Sequence, residues 1–78
     1  MKAYGYATGD EELTSLELSE VALLVTLDEI QDLIGFLKKA YEEHSQIKIK
    51  GDYDHSHLKD WKSNYKDKEH TDLIIVTK

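Results

Sequence analysis

The stretch TLDEIQDLIGFLKKAYEEH, residues 26–44, constrains this chain more than any other, because it specifies the start and one face of a helix. Thr26 and Glu29 stand three apart, the spacing at which each side chain satisfies a free backbone N–H of the other residue. Val25 and Ile30 occupy the apolar positions that staple such a cap. Asp28, Glu29 and Asp32 crowd the positive end of the helix, and Lys38, Lys39 and His44 lie toward its negative end. Leu27, Ile30, Leu33, Ile34, Leu37 and Tyr41 recur at three- and four-residue steps, and Phe36 and Ala40 widen the stripe. A stripe that wide covers a sheet. Gly35 costs about 1 kcal/mol against alanine in a helix interior, which predicts close approach of another backbone there. The polar face is acidic, whereas helices that lie on membranes carry a basic one.

The segments around this helix alternate as strands do. In SLELSEVALLV (15–25), Leu16 and Leu18 share one face, and after Ser19-Glu20 the apolar phase moves to Val21, Leu23 and Val25. Side chains alternate with period two along a strand, so this slip predicts a bulge near Ser19. Ala22 and Leu24 make the opposite face apolar as well. Tyr4 and Tyr6 alternate as a short strand before the acidic turn GDEE, and QIKIKG (46–51) reads as an edge strand whose lysines discourage further pairing. HSHLKDWKSNY (55–65) has room for one or two helical turns, KDKEHTD (66–72) is a polar loop, and LIIVT (73–77) has the continuous apolar run of a strand buried on both faces. These elements make a single α+β domain over residues 1–78, a sheet of three to four strands with one long amphipathic helix on one face.

One helix covers one face of a sheet, yet 21–25 and 73–76 are apolar on both. The second face must meet the Trp61 segment or a second copy of the chain, and a homodimer is expected. Size points the same way. A chain of 78 residues hides only about 60% of its unfolded surface, and such a core leaves roughly 3–5 kcal/mol of stability unless something supplements it. With no cysteine, disulfides and thiolate metal sites are excluded, and a reducing compartment fits. No apolar run approaches the ~20 residues that span a bilayer, and the N-terminus lacks the basic-then-apolar layout of a signal peptide. A soluble cytoplasmic protein with no membrane partner is expected.

The net charge of −6 is uneven. Residues 1–46 carry ten acids against three lysines, and residues 47–78 carry seven lysines against six acids. An acidic half disfavours nucleic acid and suits a basic protein partner, since complementary charge speeds encounter and rejects wrong partners. Solubility alone also accounts for a modest negative charge. The acids that would face a partner are Asp10, Glu11 and Glu12 of the turn and Asp28, Asp32, Glu42 and Glu43 of the helix. Lys59, Lys62 and Lys66 flank Trp61 and Tyr65 as in grooves for single-stranded nucleic acid. The interleaved acids Asp60, Asp67 and Glu69 cancel most of that field.

GDYDHSHLKDW (51–61) concentrates the titratable groups. His55 and His57 would share a face if the stretch were a strand, and Asp54 or Asp52 would complete a two-histidine, one-carboxylate metal set. A His–Asp pair could also serve as acid and base. Against both stands the lack of a third fixed ligand, a nucleophile in a recognisable frame or a glycine loop for phosphate. The structural reading is favoured: Asp54 or Ser56 caps a short helical turn, a histidine anchors the loop, and Leu58 and Trp61 plug the open sheet face. No catalytic residue, metal or cofactor is assigned. Binding of a metal or small ligand at His55, His57 and Asp54 stands as the alternative.

LSEV (18–21), the acidic-capped helix with Leu33, Phe36 and Leu37, HSHLKDW (55–61) and DLIIV (72–76) together resemble a small bacterial family of immunity proteins from polymorphic toxin systems. The resemblance covers residues 17–76. It implies a compact α+β domain that is not an enzyme and that binds and blocks a cognate toxin domain. His55, His57, Leu58 and Trp61 match the family's histidine-rich block, and Asp72 precedes its closing strand. Met1 to Thr14 match nothing in that pattern, and the basic residues here are all lysine. A stoichiometric inhibitor of a cationic toxin is the function the resemblance implies.

Overall fold

The computed structural model describes residues 1–9, 14–46, 54–67 and 70–78. Its longest element, α1 (Leu27–Ser45), begins where the capping spacing places it. Thr26 is the N-cap, the Glu29 N–H donates to Thr26 Oγ1 at 3.1 Å, and the Thr26 N–H donates to Glu29 Oε1 at 2.9 Å. The reciprocal pair satisfies two donors that a helix start otherwise leaves open. At the other end the Gln46 N–H donates to the Glu43 carbonyl.

Strand β3 (Asp54–His57) leads directly into a single helical turn, α2 (Leu58–Trp61), then a 3-10 turn (Ser63–Lys66), and the chain returns as β4 (Ile74–Thr77). β3 and β4 are antiparallel, with His57 opposite Ile74, Ser56 opposite Ile75 and Asp54 opposite Thr77. The Leu58 N–H donates to the Leu73 carbonyl at 2.8 Å and so carries the pairing one step into α2. Phe36 (2% exposed), Leu58 and Tyr65 form the buried centre, with Leu33, Trp61, Leu73 and Ile75 packed around it. The Phe36 and Trp61 rings meet edge to face, centroids 6.3 Å apart. Burying a side chain of this kind contributes about 1.5–3 kcal/mol.

A second antiparallel pair, β1 (Ala3–Gly5) with β2 (Leu16–Leu18), stands apart as an arm, in the register Ala3 to Leu18 and Gly5 to Leu16. Gly9, at φ 78°, supplies the left-handed residue of the turn that follows β1.

The α+β class holds, with several corrections to its details. Among the described residues the strands form two separate pairs rather than one sheet of three to four. β2 ends at Leu18, where a bulge was expected; from Ser19 to Val25 there is no helix or strand, and Val21, Leu23 and Leu24 are exposed. β4 was expected to be buried on both faces. Only the side toward α1 is covered: Ile75 is half-buried, while Ile74 and Val76 are exposed. The histidines form a strand rather than a capping loop, because Ser56 and Asp54 face α1 and find a partner there. The approach to Gly35 is by a side chain, not a backbone: a Cβ at Gly35 would lie 3.0 Å from Trp61 Cζ2. The expected edge strand 46–51 lies, but for Gln46, outside the described residues, as does the turn bearing Asp10, Glu11 and Glu12.

Candidate protein-binding surface

The histidine stretch resolves into two closed polar networks. In the first, His44 of α1 is buried and bridges both strands: Nδ1 lies 2.6 Å from Thr77 Oγ1 and Nε2 lies 2.8 Å from Ser56 Oγ. Asp54 Oδ2 sits 3.3 Å from the same Nε2. A hydroxyl either donates or accepts, so Ser56 and Thr77 can satisfy either neutral tautomer of the ring. This is why a histidine is tolerated in the last turn of a core helix. In the second, the His57 Nδ1–H donates to Asp72 Oδ2 at 2.7 Å, and the Lys59 N–H donates to Asp72 Oδ1 at 3.2 Å. His57 is the N-cap of α2 but provides no side-chain cap. Asp72 supplies that function from across the chain, at the end where a helix favours negative charge.

These bonds decide how the candidate metal ligands stand. Asp54 Oδ1 accepts from the His55 N–H at 3.0 Å, and His57 is turned to Asp72. The His55 and His57 rings meet edge to face, centroids 5.4 Å apart. Among the described residues no three histidine, aspartate or glutamate side chains are grouped to hold a metal ion. A shallow hollow of about 260 Å³ opens beside them, between Lys39 and Glu43 of α1 and His55, His57, Asp60 and Trp61.

The acids of α1 divide into those that are used and those that are free. Asp32 is half-buried and accepts from Tyr65 Oη–H at 2.7 Å and Lys62 Nζ at 2.9 Å. The Tyr65 bond and then the Lys62 bond hold the Asp32 carboxyl below the usual carboxylate range. The same contact, with burial, pushes the Tyr65 phenol up to about 12. Asp32 therefore fastens the 3-10 turn to the helix and is a poor candidate for contact with a partner. Its position four residues before Phe36, on the flank of the buried face, was the sequence signal for this. Glu43 pairs with Lys39 at 3.5 Å. Asp28 and Glu42 are exposed and make no ion pair with a described residue.

With a rise of about 1.5 Å per residue, Asp28 and Glu42 stand roughly 20 Å apart along α1. Asp28 and Asp32 line a broad concavity of about 440 Å³ with Lys62, Asn64, Tyr65 and His70. Successive helix residues turn by about 100°, which places Asp28, Asp32, Lys39 and Glu43 on the flank of α1 above α2 and β3. The structure thus brings one pair of the expected contact acids to a common hollow and leaves Glu42 and Glu43 at the far end. Asp72 and His44, the two residues that organise the site, were the ones sequence reasoning did not assign. No protein-family model, curated protein or solved structure matches this chain. Among the described residues no helix is long and apolar enough to cross a membrane.

Proposed function

We propose that this chain is a non-catalytic inhibitor, an immunity protein of a bacterial toxin system that acts in the cytoplasm by binding a cognate basic toxin domain. The observation that carries this reading is where the polar groups go. His57 and Asp54, which would serve as ligands or catalysts, are held by Asp72, His44 and the His55 N–H within the fold, while Asp28 and Glu42 project from α1 with no ion pair to a described residue. With the net charge of −6, this leaves an acidic exterior as the feature a second protein would meet first. Charge of this kind raises association rate and selectivity more than it raises affinity. In the same reading the sheet under α1 is completed to three or more strands by pairing on the free edge of β4.

The test pairs this chain with the protein encoded by the adjacent reading frame. Stopped-flow association is measured from 20 mM to 500 mM salt, with wild type and with a variant combining Asp28→Asn, Glu42→Gln and Glu43→Gln. Tight one-to-one binding is expected, with an association rate that falls steeply as salt rises and a shallower fall in the variant. Binding whose rate ignores both salt and the substitutions, or no binding at all, rules the reading out.

A further inference from the structure

Among the described residues nothing covers the half of α1 turned away from the acidic flank. Ile30, Ile34, Leu37 and Tyr41 run along that half, and Ile34 is 60% exposed. Their place around the helix is opposite Lys39 and Glu43, which lean over β3, so the stripe overhangs β4, whose outer edge pairs with no described strand. Residues 21–25, five consecutive apolar residues, make no backbone hydrogen bond with a described residue, and Leu24 is fully exposed. One region lacks a strand, and another is a strand-forming sequence without a sheet.

We propose that each chain completes the other: residues 20–25 of a second copy add to the free edge of β4, beneath the Ile30–Tyr41 stripe, and the exchange is reciprocal. A compact 9.0 kDa monomer exposes about 4,900 Å², whereas this chain exposes 7233 Å². The excess, about 2,300 Å² per chain, falls for two copies within the 2,000–5,000 Å² that obligate homodimers bury. A strand added to β4 turns alternate residues under the stripe, which accounts for the apolar series Val21, Leu23 and Val25. A two-fold arrangement requires one self-complementary patch, and arm plus stripe is such a patch. Strand addition also satisfies backbone groups on both partners. The like charges of the two copies do not oppose it, because the acids of α1 lie on the opposite flank. The dimer does not depend on the toxin reading, and it leaves Asp28 and Glu42 free.

The experiment is light scattering of the wild type, Leu23→Asp and Ile34→Glu, joined to isotope-filtered NOE spectra of a mixture of labelled and unlabelled wild type. The expected results are a wild-type mass twice the chain mass of 9.0 kDa, a halved mass with retained helical circular dichroism in each variant, and NOEs between copies from Leu23 methyls to Ile34 and Leu37 methyls. A monomeric wild type overturns the proposal. So does a dimer without those inter-copy NOEs, whether or not the variants fold. A monomer that shows these NOEs within one chain would place residues 20–25 on their own β4 instead.

Discussion

The body built from α1, β3, α2 and β4 differs sharply from the arm built from β1, β2 and the segment up to Val25. Both are patterned with apolar residues, but all the fully buried ones belong to the body. Among the described residues the body also holds the part-buried side-chain hydrogen bonds between elements: His44 to Ser56 and Thr77, His57 to Asp72, and Asp32 to Tyr65 and Lys62. Among the described residues the arm carries its ladder and an exposed ion pair, Lys2 with Glu17 at 3.2 Å. A two-stranded pair is marginal on its own in water. Apolar patterning therefore produces burial only where a second layer is present, and in the body α1 is that layer.

The contrast can be broken most forcefully at Phe36. Truncation of a buried phenylalanine costs about 3–5 kcal/mol, as much as the roughly 3–5 kcal/mol available to a domain this small. Phe36→Ala is expected to abolish the cooperative urea transition. Leu16→Ala in the arm, where the side chain is half exposed, should shift the midpoint by less than about 1 kcal/mol. Equal effects from the two would mean that arm and body share one core.

A smaller separation is expected from polar deletions. Asp72→Ala leaves His57 Nδ1 and the Lys59 N–H without their acceptor, and an orphaned group of this kind costs about 1–3 kcal/mol. Glu17→Ala removes a surface ion pair and should cost about 0–1 kcal/mol. Chemical denaturation of both variants measures the gap. If Asp72→Ala is as mild as Glu17→Ala, Asp72 does not cap α2.

How much of this was legible in the sequence follows the same division. α1 was readable to within a residue because its signals are local: a capping pair three apart and a stripe at helical spacing. β4 was found for the same reason, though not its one-sided burial, which depends on what lies beyond its edge. The strand expected through 15–25 was cut to three residues, since apolar alternation states a preference and only a partner strand realises it. The histidine stretch, expected as a loop in which Asp54 or Ser56 caps a turn, is a strand, and its bonds were not legible. His44 and Ser56 are twelve apart, and His57 and Asp72 fifteen apart, in contacts that exist only after β3 and β4 pair. Asp32 was taken for a surface acid because its partner Tyr65 is 33 residues away.

The network at Asp32 gives the body a pH signature. Its carboxyl is held below the usual value, so the stabilisation is complete above the unfolded carboxylate value of about 3.9 and is lost as pH falls through the lowered folded value. Tyr65 acts in the opposite direction. Raised to about 12, it stabilises fully below the unfolded value of about 10, and that contribution disappears between the two. Urea midpoints across pH 2–7 and pH 9–12 should show both losses in wild type. Asp32→Asn should flatten the acid limb relative to wild type, and Tyr65→Phe the alkaline one. An unchanged acid limb in Asp32→Asn would mean that Asp32 does not hold the 3-10 turn.

The finest comparison lies between two glycines. A Cβ at Gly5 in the arm would meet the Leu18 Cδ1 methyl at 3.1 Å, and a Cβ at Gly35 in the body would meet Trp61 Cζ2 at 3.0 Å and Cη2 at 3.3 Å. Leu18 borders solvent and swings aside at little cost, so Gly5→Ala should be close to neutral. Trp61 is wedged between α1 and Phe36 and yields less. Alanine at position 35 should gain the helix preference of about 1 kcal/mol and lose most of it in displacing the ring. In a Trp61→Leu background the ring is absent, and Gly35→Ala should recover nearly the whole gain. The difference between the two backgrounds, measured as a double-mutant cycle, is the coupling between helix and tryptophan. A cycle that closes to zero would show that the ring does not press on α1, and that the body is as loosely assembled there as the arm.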